Sequence, residues 1–148
     1  MSELNPFLIA GVLLLVGVSI GITAFLSQRK RAQFAFGILI LISGIYVGFA
    51  IIAASEASFI TRATIIPVVV ESLIAISFLL ASLAVLDSEH EWLVGAFILI
   101  HGMIDLVHLI LGTPFIPAWY ELACVLYDAC VGVGFIWLLT PQNQKTSL

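Results

Sequence analysis

Six ionisable side chains stand inside stretches that are otherwise hydrocarbon: Glu71, His101, Asp105, His108, Glu121 and Asp128. Such residues within a membrane-length run cost about 2.5–3.5 kcal/mol each on insertion scales, so they mark a functional site by default. His101, Asp105 and His108 follow at i, i+4 and i+7, which is one face of a helix. Glu121, Cys124 and Asp128, at i, i+3 and i+7, share a face of the next apolar run. A short Pro-containing connection joins the two runs, which predicts an antiparallel hairpin centred between Pro114 and Phe115. Counted outward from that centre, His108 matches Glu121 in depth, Asp105 matches Cys124, and His101 matches Asp128. Glu71, entering from the preceding run, is expected to reach the layers nearest the connection.

The charge balance of this cluster narrows the chemistry. It holds four carboxylates, and no Lys or Arg lies within any apolar run. Four unpaired carboxylates are not sustainable in a low-dielectric interior. A bound metal, retained protons, a cationic substrate or a water-filled vestibule would each resolve the imbalance. Metal is preferred, because Asp105-x-x-His108 is the one-turn carboxylate/imidazole spacing that lets two side chains reach one ion. It is the aspartate counterpart of the Glu-x-x-His pair in helical di-iron and di-manganese sites, although a second such pair is missing. The expected ligands are His101, Asp105 and His108, with Glu121, Asp128 and Glu71 completing the set. Zn, Fe or Mn would accept them as a divalent metal ion cofactor.

Such an ion would activate water, with Glu121 or Asp128 as general base and Tyr120 or Tyr127 as a conceivable acid. A metal-dependent enzyme acting on a lipid or other apolar substrate follows from that. Two other readings use the same residues. The stepped depth of His, Asp and Glu resembles a relay for proton- or cation-coupled transport, with Glu71 and Asp128 exchanging the ion. Alternatively, the groups form a hydrogen-bonded polar seam in an assembly subunit of a membrane complex, each bond worth ~0.6 kcal/mol. Retinal is excluded for want of a spanning Lys. Both spanning His share one run, so a bis-histidine haem would need a second copy of the chain.

The elements that must position these groups are legible in the composition. Of 148 residues, 62% are hydrophobic and 9% charged, far from the roughly 45–50% and 25% of soluble domains. The mean hydropathy is +1.23. A soluble enzyme or cytosolic binding module is excluded, and so is nucleic acid as a partner, since the net charge is −4 with no basic stripe. Five stretches have the length and apolarity of membrane spans: 7–26, 34–54, 65–86, 92–111 and 118–139. The expected architecture is therefore all-α, a single transmembrane domain of five helices in contact with the lipid bilayer. Asn5-Pro6 would open the first helix, which lacks the marks of a cleavable signal peptide. Pro67 would be tolerated in the first turn of the third.

Arg29, Lys30 and Arg31 mark the first connection as cytoplasmic, and Lys145 falls on that side after five crossings. The N-terminus is then out and the C-terminus in. Gly17 with Gly21, and Gly37, Gly44 and Gly48, form small-residue stripes that fit either packing within the chain or a homo-oligomer face. Cys124 and Cys130 point to different faces, cannot bond each other, and are expected to be small buried hydrophobes. Asp87 to Glu91 are expected to form a solvated loop.

The run His101-Gly102-Met103-Ile104-Asp105-Leu106-Val107-His108, with Trp119-Tyr120-Glu121-x-x-Cys124-x-x-Tyr127-Asp128, resembles a group of small bacterial membrane proteins of uncharacterised function. The pattern of that group is H-G-x-x-D-x-x-H, a Pro-containing turn, then W-Y-x-x-x-C-x-x-x-D. The resemblance covers the last two spans only, and Leu109 replaces a further His. It implies that the hairpin is a unit and that the chain sits in a cell membrane, the bacterial inner membrane, and it supplies no reaction.

Overall fold

A computed structural model describes residues 6–57, 59 and 61–141. Asn5 and Lys145 lie outside the described residues. Five helices follow one another: α1 (Pro6–Phe25), α2 (Gln28–Glu56), α3 (Arg62–Val85), α4 (Leu93–Leu111) and α5 (Ala118–Leu139). No strand occurs among the described residues. Each helix is long and apolar enough to cross a membrane. Hydrocarbon cannot hydrogen-bond the backbone, so a helix, which satisfies its own N–H and C=O groups, is the form such a run must take. The chain is an all-α bundle of membrane-spanning helices.

The ends of the helices follow from local chemistry. Thr61 and Thr64 cap α3 reciprocally, with the Thr61 N–H donating to Thr64 Oγ1 at 2.9 Å. That cap starts the helix at Arg62, so Pro67 falls inside it rather than in its first turn. Pro67 has no N–H to offer the Ala63 carbonyl. Gly112 ends α4 in the left-handed region (φ 69°), where its N–H reaches the His108 carbonyl. Helix α2 begins at Gln28, ahead of the apolar run, because Gln, Arg and Lys are good helix formers.

The connections α1–α2 and α3–α4 meet at one end of the bundle, called here the basic rim. Arg31 donates from Nε to the Leu26 carbonyl and from Nη2 to that of Ala24, both at 2.9 Å, closing the end of α1. Arg29 pairs with Asp87 at 3.2 Å. Glu91 is buried, accepting from Gln28 Nε2 and the Asp87 N–H at 3.2 Å each. The segment from Asp87 to Glu91 is therefore more than a solvated loop: its last carboxylate joins the two connections. The opposite rim carries the α2–α3 and α4–α5 connections.

Helices α4 and α5 form the closest pair, and small residues are the reason. A Cβ on Gly95 would lie 2.6 Å from the Ile136 nitrogen, and one on Gly132 would lie 2.7 Å from Leu99 Cγ. Helix α1 rests on α5, where Ile20 fills the space over Gly134 and Ser19 Oγ shares a 2.7 Å hydrogen bond with the Tyr127 hydroxyl. The five glycines of the predicted stripes behave differently. Nothing lies within 4 Å of a Cβ on Gly17, Gly21, Gly37, Gly44 or Gly48, so they do not pack the chain against itself. Their backbones face outward.

The core of the basic half is mainly hydrocarbon. Ala32, Ala35 and Leu39 of α2 meet Val94 and Ile98 of α4 and Val131, Phe135 and Leu139 of α5 in one buried cluster. The polar side chains that the hairpin carries all lie beyond this plug, toward the opposite rim.

Candidate metal centre

His101, Asp105 and Asp128 come together at the top of that plug. Their exposures are 2%, 0% and 0%. His101 Nδ1 lies 2.8 Å from Asp128 Oδ2 and 3.4 Å from Asp105 Oδ2. One ligand atom from each residue lies within 4.8 Å of the other two. Ligand atoms at 2.0–2.2 Å around a tetrahedral ion are about 3.3–3.6 Å apart, so the 3.4 Å pair is at ligand spacing, while the 2.8 Å pair is a hydrogen bond that an ion would replace. Gly102 makes the approach possible: a Cβ there would lie 2.8 Å from the Asp128 Cβ. The sequence places a glycine at the one position where α4 must let the Asp128 side chain pass.

Hydrogen bonding leaves this group incomplete. Both oxygens of Asp105, Oδ1 of Asp128, Oε1 of Glu121, Nδ1 of His108 and the Tyr46 hydroxyl are buried without a hydrogen-bond partner. Buried polar atoms are nearly always paired; the Tyr46 hydroxyl beside Asp105 is one donor at hand, and a cation could satisfy the acceptors that remain.

The depth matching of the hairpin is realised in part. His101 and Asp128 meet as their depths predict. At the next level Asp105 and Cys124 are joined by a residue from α2, because the Tyr46 hydroxyl lies beside both. At the third level His108 Nε2 turns to Glu71 Oε1 at 3.5 Å. Glu121 lies beside Thr113. Glu71 and Glu121 are both buried, and His108 is partly so. The spacing of Asp105 and His108 alone suggests that they share an ion, whereas the tight group is His101, Asp105 and Asp128. Cys124 is buried but Cys130 is exposed on the lipid-facing side of α5, so only one of the two fits the expectation of a buried hydrophobe.

Tyr46 is the residue that sequence spacing did not single out. Its ring stands edge-on to His101 at 5.4 Å and stacks on His108 at 5.6 Å, separating the inner group from the Glu71–His108 pair. A tyrosine in mid-span, away from the interfacial belt that tyrosines favour, was the available signal. Tyr46→Ala is expected to remove the partition between His101 and His108. The effect should read as a loss of about 3–5 kcal/mol of stability, the range for deleting a buried aromatic. Unfolding in denaturing detergent measures it, and Tyr46→Phe, which keeps the ring, should restore most of the loss.

Fold and site together define a membrane-spanning helical bundle with a buried His/Asp cluster that could hold a metal ion. No family model, no curated protein and no solved structure matches this chain.

Proposed function

We propose that the protein is a metal-dependent membrane enzyme acting on a lipid or other apolar substrate. His101, Asp105 and Asp128 hold a divalent ion of the Zn, Fe or Mn class. The observation that carries this reading is the set of buried carboxylate oxygens without a hydrogen bond, gathered with His101 where one ion could reach all three residues. An ion there supplies Lewis-acid polarisation and activates water at neutral pH.

The chain's own residues supply the rest. His101 bridges Asp105 and Asp128 and holds the α4 and α5 ligands in register. Glu121, with one unpartnered oxygen, is the general base on the opposite-rim side. Glu71 and His108 line the approach, and Tyr46 keeps them apart from the ligand group. In this reading the positive-inside rule favours a cytoplasmic basic rim, with the N-terminus out and the site toward the outer side of a bacterial inner membrane. The outward faces of Gly17, Gly21, Gly44 and Gly48 suit a homo-oligomer contact.

The hydrocarbon plug favours a one-sided reaction site over transport. Val94, Ile98, Val131 and Phe135 fill the path toward the basic rim and offer no polar step for an ion. Elemental analysis of the detergent-purified protein tests the reading. A stoichiometric divalent metal that survives dialysis is the expected result, and a metal-free folded protein that binds none on titration overturns it.

A further inference from the structure

Helix α1 packs on α5 far more than on α2, and the gap this leaves is an apolar groove of about 380 Å³ between the three helices. Leu15, Leu41, Ile45 and Ala123 are among its walls. Leu15 and Leu41 are exposed, so the groove opens sideways to the bilayer.

Its two ends differ. Toward mid-bilayer its walls end at Ser19 and Tyr127, whose hydroxyls share a hydrogen bond. The two hydroxyls satisfy each other, so hydrocarbon can lie against them without stranding a polar group. Toward the opposite rim the groove reaches Tyr120 and Cys124. Cys124 packs with Tyr46 and Ile116, and the Tyr46 hydroxyl lies beside Asp105. One side chain therefore separates the polar end of the groove from the carboxylates of the candidate metal centre. From Tyr120 to Tyr127 the α5 wall rises about 10 Å at 1.5 Å per residue.

We propose that this groove holds the hydrocarbon chain of an amphiphile, with its polar group at the Tyr120–Cys124 end facing the metal centre. The proposal rests on the enzyme reading above and names its substrate class: a single-chain or chain-bearing lipid that enters laterally from the leaflet on the opposite-rim side. An apolar groove open to the bilayer, with Tyr120 and Cys124 at its opposite-rim end, matches such a molecule. The exposed face of Leu73 and Leu80 on α3 is the comparison surface, where the one hydroxyl between them, Ser77, is taken up by the Leu73 carbonyl of its own helix.

The test uses the full chain in nanodiscs of dioleoylphosphatidylcholine with a diazirine-bearing palmitic acid as photoprobe. Cross-links are expected to concentrate on the segments carrying Leu41, Ile45 and Ala123, and excess palmitic acid should compete them away. Ala123→Trp, which fills the groove, should lower that labelling roughly tenfold, the factor that ~1.4 kcal/mol of lost binding makes. Leu41→Trp does the same from the α2 wall if Ala123→Trp does not fold. Labelling spread equally over Leu73 and Leu80, or unchanged in the folded Trp variant, overturns the proposal. Metal content, measured on the same samples, keeps the two readings apart. Metal without groove labelling sinks the lipid groove alone, and groove labelling without metal sinks the metal assignment.

Discussion

Asp105→Asn is expected to release the metal while the five helices stay assembled. The substitution keeps the shape of the side chain and removes its negative charge at a position that is completely buried and has no hydrogen bond on either oxygen. Loss of an outer-shell partner already costs 10–100-fold in metal affinity, so loss of a direct ligand should cost about 100-fold or more. Elemental analysis against the parent protein reads the effect, and circular dichroism with thermal unfolding checks that the bundle survives. A polar seam without metal predicts something else: no metal in either protein and a stability change near ~0.6 kcal/mol. Full metal retention in Asp105→Asn would remove this residue from the ligand set. Asp128→Asn is the companion case, since it also weakens the 2.8 Å link that ties His101 to α5.

The second large effect concerns the hairpin rather than its ligands. Gly95→Ala should destabilise the protein by about 1–3 kcal/mol, the usual cost of forcing an extra methyl into a packed interior. The new Cβ would sit 2.6 Å from a backbone nitrogen and 2.9 Å from the Gly132 carbonyl oxygen, and neither can swing aside as a side chain can. Helices α4 and α5 must then part, and the separation should loosen metal binding as well. Gly11→Ala is the control, because its surroundings are open and it lies outside the glycine stripes. There the methyl should stabilise the helix by roughly 0.5–1 kcal/mol. Equal unfolding behaviour of the two variants would mean that the α4–α5 contact is looser than described.

The helices and the neighbourhood of the site were legible in the sequence because hydrocarbon leaves the backbone few choices. Runs such as 118–139 can only be helices, and the same constraint turned the spacing of His101 and Asp128 into a contact across the hairpin. The details that escaped depend on neighbours brought in from elsewhere in the chain. Spacing pairs Asp105 with His108, but it carries no information about Tyr46 arriving from α2 to stand between the two histidines. Likewise, Glu91 reads as one charge in an exposed acidic run until Gln28 is seen to reach it from α2. The glycines show the limit most plainly. Gly44-x-x-x-Gly48 has the motif of a helix contact and faces open space, while Gly95 and Gly132 make the intimate contact although no short motif joins them.

The cluster of Val94, Ile98, Val131 and Phe135 beneath His101 has a kinetic consequence. Hydrocarbon packed there seals the group from the basic rim, so any exchange of an ion or ligand has to run on the other side of the plug. On the reading proposed above, whatever leaves His101, Asp105 and Asp128 departs on the opposite-rim side, past Tyr46. If the proposed enzyme reading holds, its products would accumulate in that one leaflet and hold it back, whatever the composition of the other.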